Sequence, residues 1–210
     1  ASTPATKVTI GGAYEIEYVF GGGNGAGTGN PGANVGYHAY GDDHAGITQE
    51  DIQYRLDHYK YGTGVATTNI YGGRIHHIYG GSNTRGNVRE TAVAMLDEVN
   101  ACPLVVDGIY GGGREAYMEG KASLEMGCIT GMGEIYGGSE KADVGNDVEL
   151  TLTSGHFGKV FGGNNKGGRI FGSIKVNIEQ TGCVPITIDE LYLGGNNAPY
   201  SVYGYTNQSY

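Results

Sequence analysis

His38, Asp42, Asp43 and His44 fall within seven positions and carry the side chains of a metal loop. Imidazoles and carboxylates this close together suit calcium or zinc. Their spacing fits neither an EF-hand, nor H-E-x-x-H, nor the Gly-Gly-x-Gly-x-Asp calcium repeat. The metal reading of Asp42, Asp43 and His44 therefore rests on composition, and a solvated polar loop explains the same residues. The expectation is no cofactor, with calcium or zinc as the ion if one binds. Tyr37, Tyr40, Tyr54, Tyr59 and Tyr61 stand around this loop. Tyrosine supplies 17 of 210 residues and tryptophan none. An exposed tyrosine is a flat amphipathic surface that loses little entropy on binding, suited to sugar rings or protein partners. The alternative is that these rings pack their own segment onto the body.

A second chemistry is acid–base. Glycosidases use two carboxylates roughly 5 to 10 Å apart. Outward-facing Glu125 and Glu149, stacked in adjacent turns of the chain, would meet that spacing, with Lys175 following. Charge alternation along a solvent-facing ladder explains these residues equally well, so none is assigned as catalytic. His76-His77 cannot act as a pair on one surface, because neighbours on a strand face opposite ways. Cys102 and Cys128 each precede a Tyr-Gly-Gly tyrosine by eight residues, which stacks them in neighbouring turns. A buried thiol pair and a disulfide both remain open, since stacked strands about 4.8 Å apart are within disulfide reach.

The elements that position these groups are announced by a repeated phrase. Val19-Phe20-Gly21-Gly22, Ile70-Tyr71-Gly72-Gly73, Ile78-Tyr79-Gly80-Gly81, Ile109-Tyr110-Gly111-Gly112, Ile135-Tyr136-Gly137-Gly138 and Val160-Phe161-Gly162-Gly163 share one pattern, and Leu193-Gly194-Gly195 is a degenerate copy. From Tyr79 onward the copies are roughly 25 to 32 residues apart, the length of one turn of a parallel β-helix. Between them lie alternating runs: Ala122, Leu124, Met126; Val148, Leu150, Leu152; Ile174, Val176, Ile178. Period two sends these toward a core and sends Ser123, Glu125, Glu149, Thr151, Lys175 and Asn177 to solvent. In the repeated aromatic pair, one residue should face inward and its neighbour outward. Asn24, Asn83, Asn165 and Asn197 recur four residues after the aromatic position and suit turns or stacked amide ladders. The fold expected is all-β: a right-handed parallel β-helix, a single-stranded solenoid of about six to seven rungs, filling residues 1–210 as one domain.

Residues 24–69 contain no full copy of the phrase and read as an insertion in the coil. Thr48-Gln49-Glu50-Asp51 resembles a capping box, with Ile52, Leu56 and Tyr59 at helical spacing. A short helix is expected over 49–60. Insertions on a solenoid often carry binding residues, and covering exposed core is the alternative role.

Composition narrows the function. Glycine is 41 of 210 residues, yet proline is only 5 and no G-X-Y period exists, so collagen is excluded. Net charge is −9, with 13 basic residues scattered among 22 acidic ones. That balance disfavours nucleic acid and anionic membranes, which need clustered Lys and Arg. No apolar run is long enough to span a bilayer.

Val19-Phe20-Gly21-Gly22-Gly23-Asn24-Gly25 and Pro31-Gly32-Ala33-Asn34-Val35-Gly36, with the later Ile-Tyr-Gly-Gly copies, resemble glycine-rich, adhesin-like surface proteins of gut Bacteroidetes. The resemblance implies a secreted, bacterial cell-surface location and a segment of a longer polypeptide. It brings no functional residues. The reading is a non-catalytic scaffold that presents binding loops to a glycan or a surface protein. A polysaccharide lyase or glycoside hydrolase on the same fold is one alternative, and a filament or fibre subunit is another. Neither end reads as an amphipathic cap, so flanking sequence or end-to-end self-association is expected to cover the terminal rungs.

Overall fold

The computed structural model describes residues 2–3, 5–12, 15–25, 34–36, 64–96, 104–127, 129–181, 184–198, 201–202 and 205–206. Among the described residues there is no helix, and every regular element is a β-strand. Twelve strands build two six-stranded sheets. The first contains β2 (Thr6–Ile10), β5 (Val65–Ile70), β7 (Glu90–Leu96), β9 (Ala122–Gly127), β11 (Val148–Leu152) and β13 (Ile174–Ile178). The second contains β3 (Glu15–Phe20), β6 (Gly73–Tyr79), β8 (Leu104–Tyr110), β10 (Ile129–Tyr136), β12 (Gly155–Phe161) and β14 (Thr187–Tyr192). Every neighbouring pair within these sheets is parallel. A third parallel line runs through single bridges joining Val35, Val88, Met118, Val144 and Ile170. One bridge residue, one strand of each sheet and one Gly-Gly corner make a rung, and the arrangement is consistent with a parallel β-helix or solenoid. Two short pairs complete the strands: β1 (Ser2–Thr3) with β4 (Asn34–Val35), and antiparallel β15 (Ser201–Val202) with β16 (Tyr205–Thr206).

Alternation decides the core. Ala122, Leu124, Met126, Val148, Leu150 and Leu152 are all buried, and Ser123, Glu125, Glu149 and Thr151 are not. Ile174 and Val176 are half-buried and Ile178 is exposed, because no described strand stacks beyond β13. Burying one such aliphatic side chain contributes about 1.5–3 kcal/mol, so the repeated column outweighs any surface ion pair.

The aromatic phrase forms a core of its own. Ile78, Ile109, Ile135 and Val160 lie in the aliphatic interior, while the next residues, Tyr79, Tyr110, Tyr136 and Phe161, are buried in a separate cluster. Phe20, Tyr79, Tyr110, Tyr136, Phe161 and Tyr192 stack with centroids 4.7–5.0 Å apart and planes within 10°. Alternation turns each ring away from the aliphatic core. Tyr79 donates to Glu140 and Tyr110 accepts from Asn165, both in the loops after Gly-Gly pairs, while Tyr136 and Tyr192 donate to Glu134 and Glu190 on their own strands.

The motif glycines are needed for close approach. None of Gly80, Gly111 and Gly137 has a positive φ. A Cβ on any of them would come closer than 3.0 Å to the carbonyl oxygen of the equivalent residue in the next rung. The copy at Ile70-Tyr71-Gly72-Gly73 is alike in sequence only. Ile70 pairs with Ile10 and Met95 in the first sheet, so this phrase turns the corner between the two sheets, with Gly73 at φ 100°.

The described parts of 24–69 belong to the coil. Thr84 N donates to Asn24 O at 3.0 Å, Val35 bridges to Val88, and β5 begins at Val65. The expected helix over 49–60 lies outside the described residues.

Candidate functional site

Tyr37, Tyr40, Tyr54, Tyr59, Tyr61, Asp42, Asp43 and His44 lie outside the described residues, as do Cys102 and Cys128. Among the described residues, no group of three or more His, Cys, Asp or Glu is arranged to hold a metal. Three other clusters carry chemically useful side chains.

The first lies under the Gly-Gly loops. The backbone ladder makes Asn24, Asn83, Arg114, Glu140, Asn165 and Asn196 equivalent. Asn83 Nδ2 donates to Asn24 Oδ1 at 2.7 Å, and Asn196 Nδ2 to Asn165 Oδ1 at 3.2 Å, so amide ladders occupy both ends of the column. Asn197 was expected in this ladder, but Asn196 holds the position. The register pairs Phe161 with Tyr192, and Leu193 takes the place of the first glycine. In the middle the amides give way to Arg114 and Glu140, an ion pair at 3.6 Å. Glu140 is only 5% exposed; it accepts from Tyr79 Oη at 2.6 Å and from Lys166 Nζ at 2.7 Å. Burial acts to raise its carboxyl pKa, but the bonds from Lys166 and Tyr79 and the nearby Arg114 charge hold it below the ordinary value. Burial likewise pushes the Tyr110 hydroxyl up to about 12. Glu140, Tyr79 and Lys166 are used up on one another, while Arg114 Nε is buried with no hydrogen-bond partner among the described residues. The sequence signal for them was the break in the Asn pattern by opposite charges in adjacent rungs.

The second cluster is on the outer side of the second sheet. His76 Nδ1 lies 2.6 Å from Asp107 Oδ2 and Nε2 lies 3.0 Å from Glu15 Oε1. Arg74 reaches both of those carboxylates at 3.7 Å, and Glu17 stands 4.0 Å from His76. Hydrogen bonds to Glu15 and Asp107 raise the His76 pKa, with the Glu17 charge adding to them. The His76 ring bridges carboxylates from the rungs on either side of its own, and as an imidazolium it would donate from both nitrogens. His77 does not enter the aliphatic core, contrary to strict alternation. The buried residues Ile75 and Ile78 are three apart, so the alternation of burial breaks between them, and the His77 ring stacks on Tyr18 at 5.5 Å. Farther along the sheet, His156–Asp189 at 3.0 Å and Lys159–Glu190 at 3.4 Å continue the paired pattern.

The third cluster is the outer side of the first sheet. Its outward residues form two columns in rung order: Lys7, Thr67, Ala92, Ser123, Glu149, Lys175, and Thr9, Asn69, Ala94, Glu125, Thr151, Asn177. The expected stacking of Glu125 on Glu149 is not what forms. Because β11 aligns Val148 with Ala122, Glu149 stands beside Ser123, and Glu125 stands beside Thr151. Lys175 does follow Glu149. Glu149 accepts from Lys121 Nζ, from Lys175 Nζ at 3.3 Å and from Asn177 Nδ2 at 3.2 Å. The bond from Lys121, followed by that from Lys175, holds its carboxyl at about 2. Glu125 is exposed and has no ion pair or hydrogen bond among the described residues. The small side chains of Ala92 and Ala94 leave an open depression of about 290 Å³, rimmed by Thr67, Asn69, Ser123, Glu125, Glu149 and Thr151. Methyl groups on the floor with hydroxyls, an amide and a free carboxylate on the rim can hold a polyhydroxylated ligand.

Compared with protein-family models, with curated proteins and with solved structures, the chain matches none.

Proposed function

We propose that the chain is a non-catalytic, adhesin-like scaffold module of a secreted bacterial cell-surface protein. It winds as a right-handed parallel β-helix and presents the open side of its first sheet to a glycan or to a surface protein. Parallel strands of one sheet joined through a crossover favour the right-handed sense. The observation that carries the binding reading is the depression over Ala92 and Ala94, with Glu125 uncommitted on its rim. What supports the non-catalytic reading at this face is the setting of Glu149. Acid–base cleavage of a glycosidic bond needs two carboxyl groups whose environments push their pKa values apart, one of them upward. Glu149, held far below neutrality by two lysines, cannot be the proton donor of such a pair, and its neighbour in the adjacent rung is Ser123 and not a second carboxylate.

The test is a glycan array with the full chain, followed by a product assay on each glycan bound. Glu125→Gln should weaken binding about 10-fold or more, since a hydrogen bond to a charged group contributes about 1.5–3 kcal/mol. Released product, or binding unchanged in both Glu125→Gln and Ala94→Phe, would overturn this reading.

A further inference from the structure

Five times along the coil the first motif glycine donates its N–H to the residue aligned with the aromatic of the next rung. The bonds run from Gly21 to Tyr79, Gly80 to Tyr110, Gly111 to Tyr136, Gly137 to Phe161 and Gly162 to Tyr192, at 2.8–3.0 Å. In all five, a Cβ on that glycine would come closer than 3.0 Å to the carbonyl of the equivalent residue in the following rung. In four of them it would also reach a side chain of the next strand of the first sheet within 3.0 Å: Thr68, Val93, Val148 or Ile174. The rule is steric: a rung with another rung stacked on it carries glycine here. In the sixth rung the residue at this position is Leu193, 66% exposed, with Gly194 after it and nothing within 4 Å of a Cβ placed there.

We infer that Leu193 is a stop in the stack, closing this end of the coil to a second copy of the chain added head to tail. An open rung offers unpaired N–H groups and a flat apolar edge, a template for another chain. Here that edge includes exposed Ile178, Leu191 and Tyr192, and Asn196 waits where Asn24 of an incoming copy would continue the amide ladder. The aromatic, amide and aliphatic columns on this edge suit a seventh rung, while in the outward column an incoming Lys7 would stand beside solvent-exposed Lys175. A Cβ at 193 occupies the space of the incoming Gly21 carbonyl, so the Leu193 side chain is the steric block to in-register addition. End-to-end self-association through this edge is therefore suppressed in the native sequence.

The experiment compares the full chain with Leu193→Gly and Leu193→Ala by sedimentation velocity over a wide concentration range. Each is also made with Asn24→Cys and Asn196→Cys. Those two positions stand five rungs apart within one copy, about 24 Å at the usual strand spacing, and adjacent between copies stacked head to tail. Leu193→Gly should associate with rising concentration and form the 24–196 cross-link between chains, at least 10-fold above the parent. Leu193→Ala should behave like the parent, because alanine keeps the Cβ while losing most of the apolar surface. Cross-linking in the parent, no gain in Leu193→Gly, or equal gain in the alanine variant would each overturn the proposal.

Discussion

The two outer faces of the coil share strand direction and rung spacing, yet they have opposite chemistry. On the second sheet nearly every charged side chain is matched across rungs: Glu15 with His76, His76 with Asp107, His156 with Asp189, Lys159 with Glu190. On the first sheet the pairing stops at Lys121, Glu149 and Lys175, and the β7 rung places Ala92 and Ala94 outward where the other face carries charges. A stacked coil gives each face the same opportunity, because every outward position meets its equivalent one rung away. Whether a face becomes a sealed ladder or an open surface depends on what fills each column.

Both faces rest on one rung spacing, so the largest effect should come from breaking it. Gly137→Ala forces the Gly137 and Gly162 rungs apart and presses on Val148. It should cost about 1–3 kcal/mol in urea denaturation and lower ligand affinity as well. Gly194→Ala, facing open space, should stay within about 0.5 kcal/mol of the parent. Equal losses in the two variants would mean that the glycines act through chain flexibility.

Next comes the open face itself. Ala94→Phe should fill the depression and reduce binding at least 10-fold, with stability within about 0.5 kcal/mol of the parent. Lys159→Gln, on the sealed face, should leave binding unchanged. If Lys159→Gln weakens binding instead, the ligand lies on the second sheet.

The faces should also answer to pH in opposite directions. His76 has a folded pKa above its unfolded value of 6.5, so its contribution is complete below that value and fades as pH rises through the folded pKa. Glu149 has a folded pKa of about 2 against an ordinary 4.5, so its contribution is complete above 4.5 and fades as pH falls toward 2. In urea midpoints, His76→Gln should converge on the parent at high pH and Glu149→Gln at low pH. The two variants converging at the same end would break the contrast.

Salt should give the smallest change. The exposed pairs Lys141–Glu115 and Lys159–Glu190 are each worth about 0–1 kcal/mol. Raising ionic strength to 1 M should therefore shift the midpoint only slightly, with Lys159→Gln less responsive than the parent.

By itself the sequence determined the all-β character, the inward and outward sets on β9 and β11, and the approach of rungs at Gly-Gly. These follow from local rules, since period two and the lack of a Cβ act within a few residues. The tertiary structure alone decided the register. Glu149 meets Ser123 instead of Glu125, and Asn196 replaces Asn197 in the amide column. It also decided that the tyrosines form a second buried core and that Arg114 and Glu140 meet beneath the loops. Offsets between rungs depend on loop lengths and on irregularities such as the register shift between Thr130 and Met132. No local pattern encodes them. A slip of two residues keeps every side chain on its proper face and still exchanges one neighbour for another, which is why the faces were legible in advance and their partners were not.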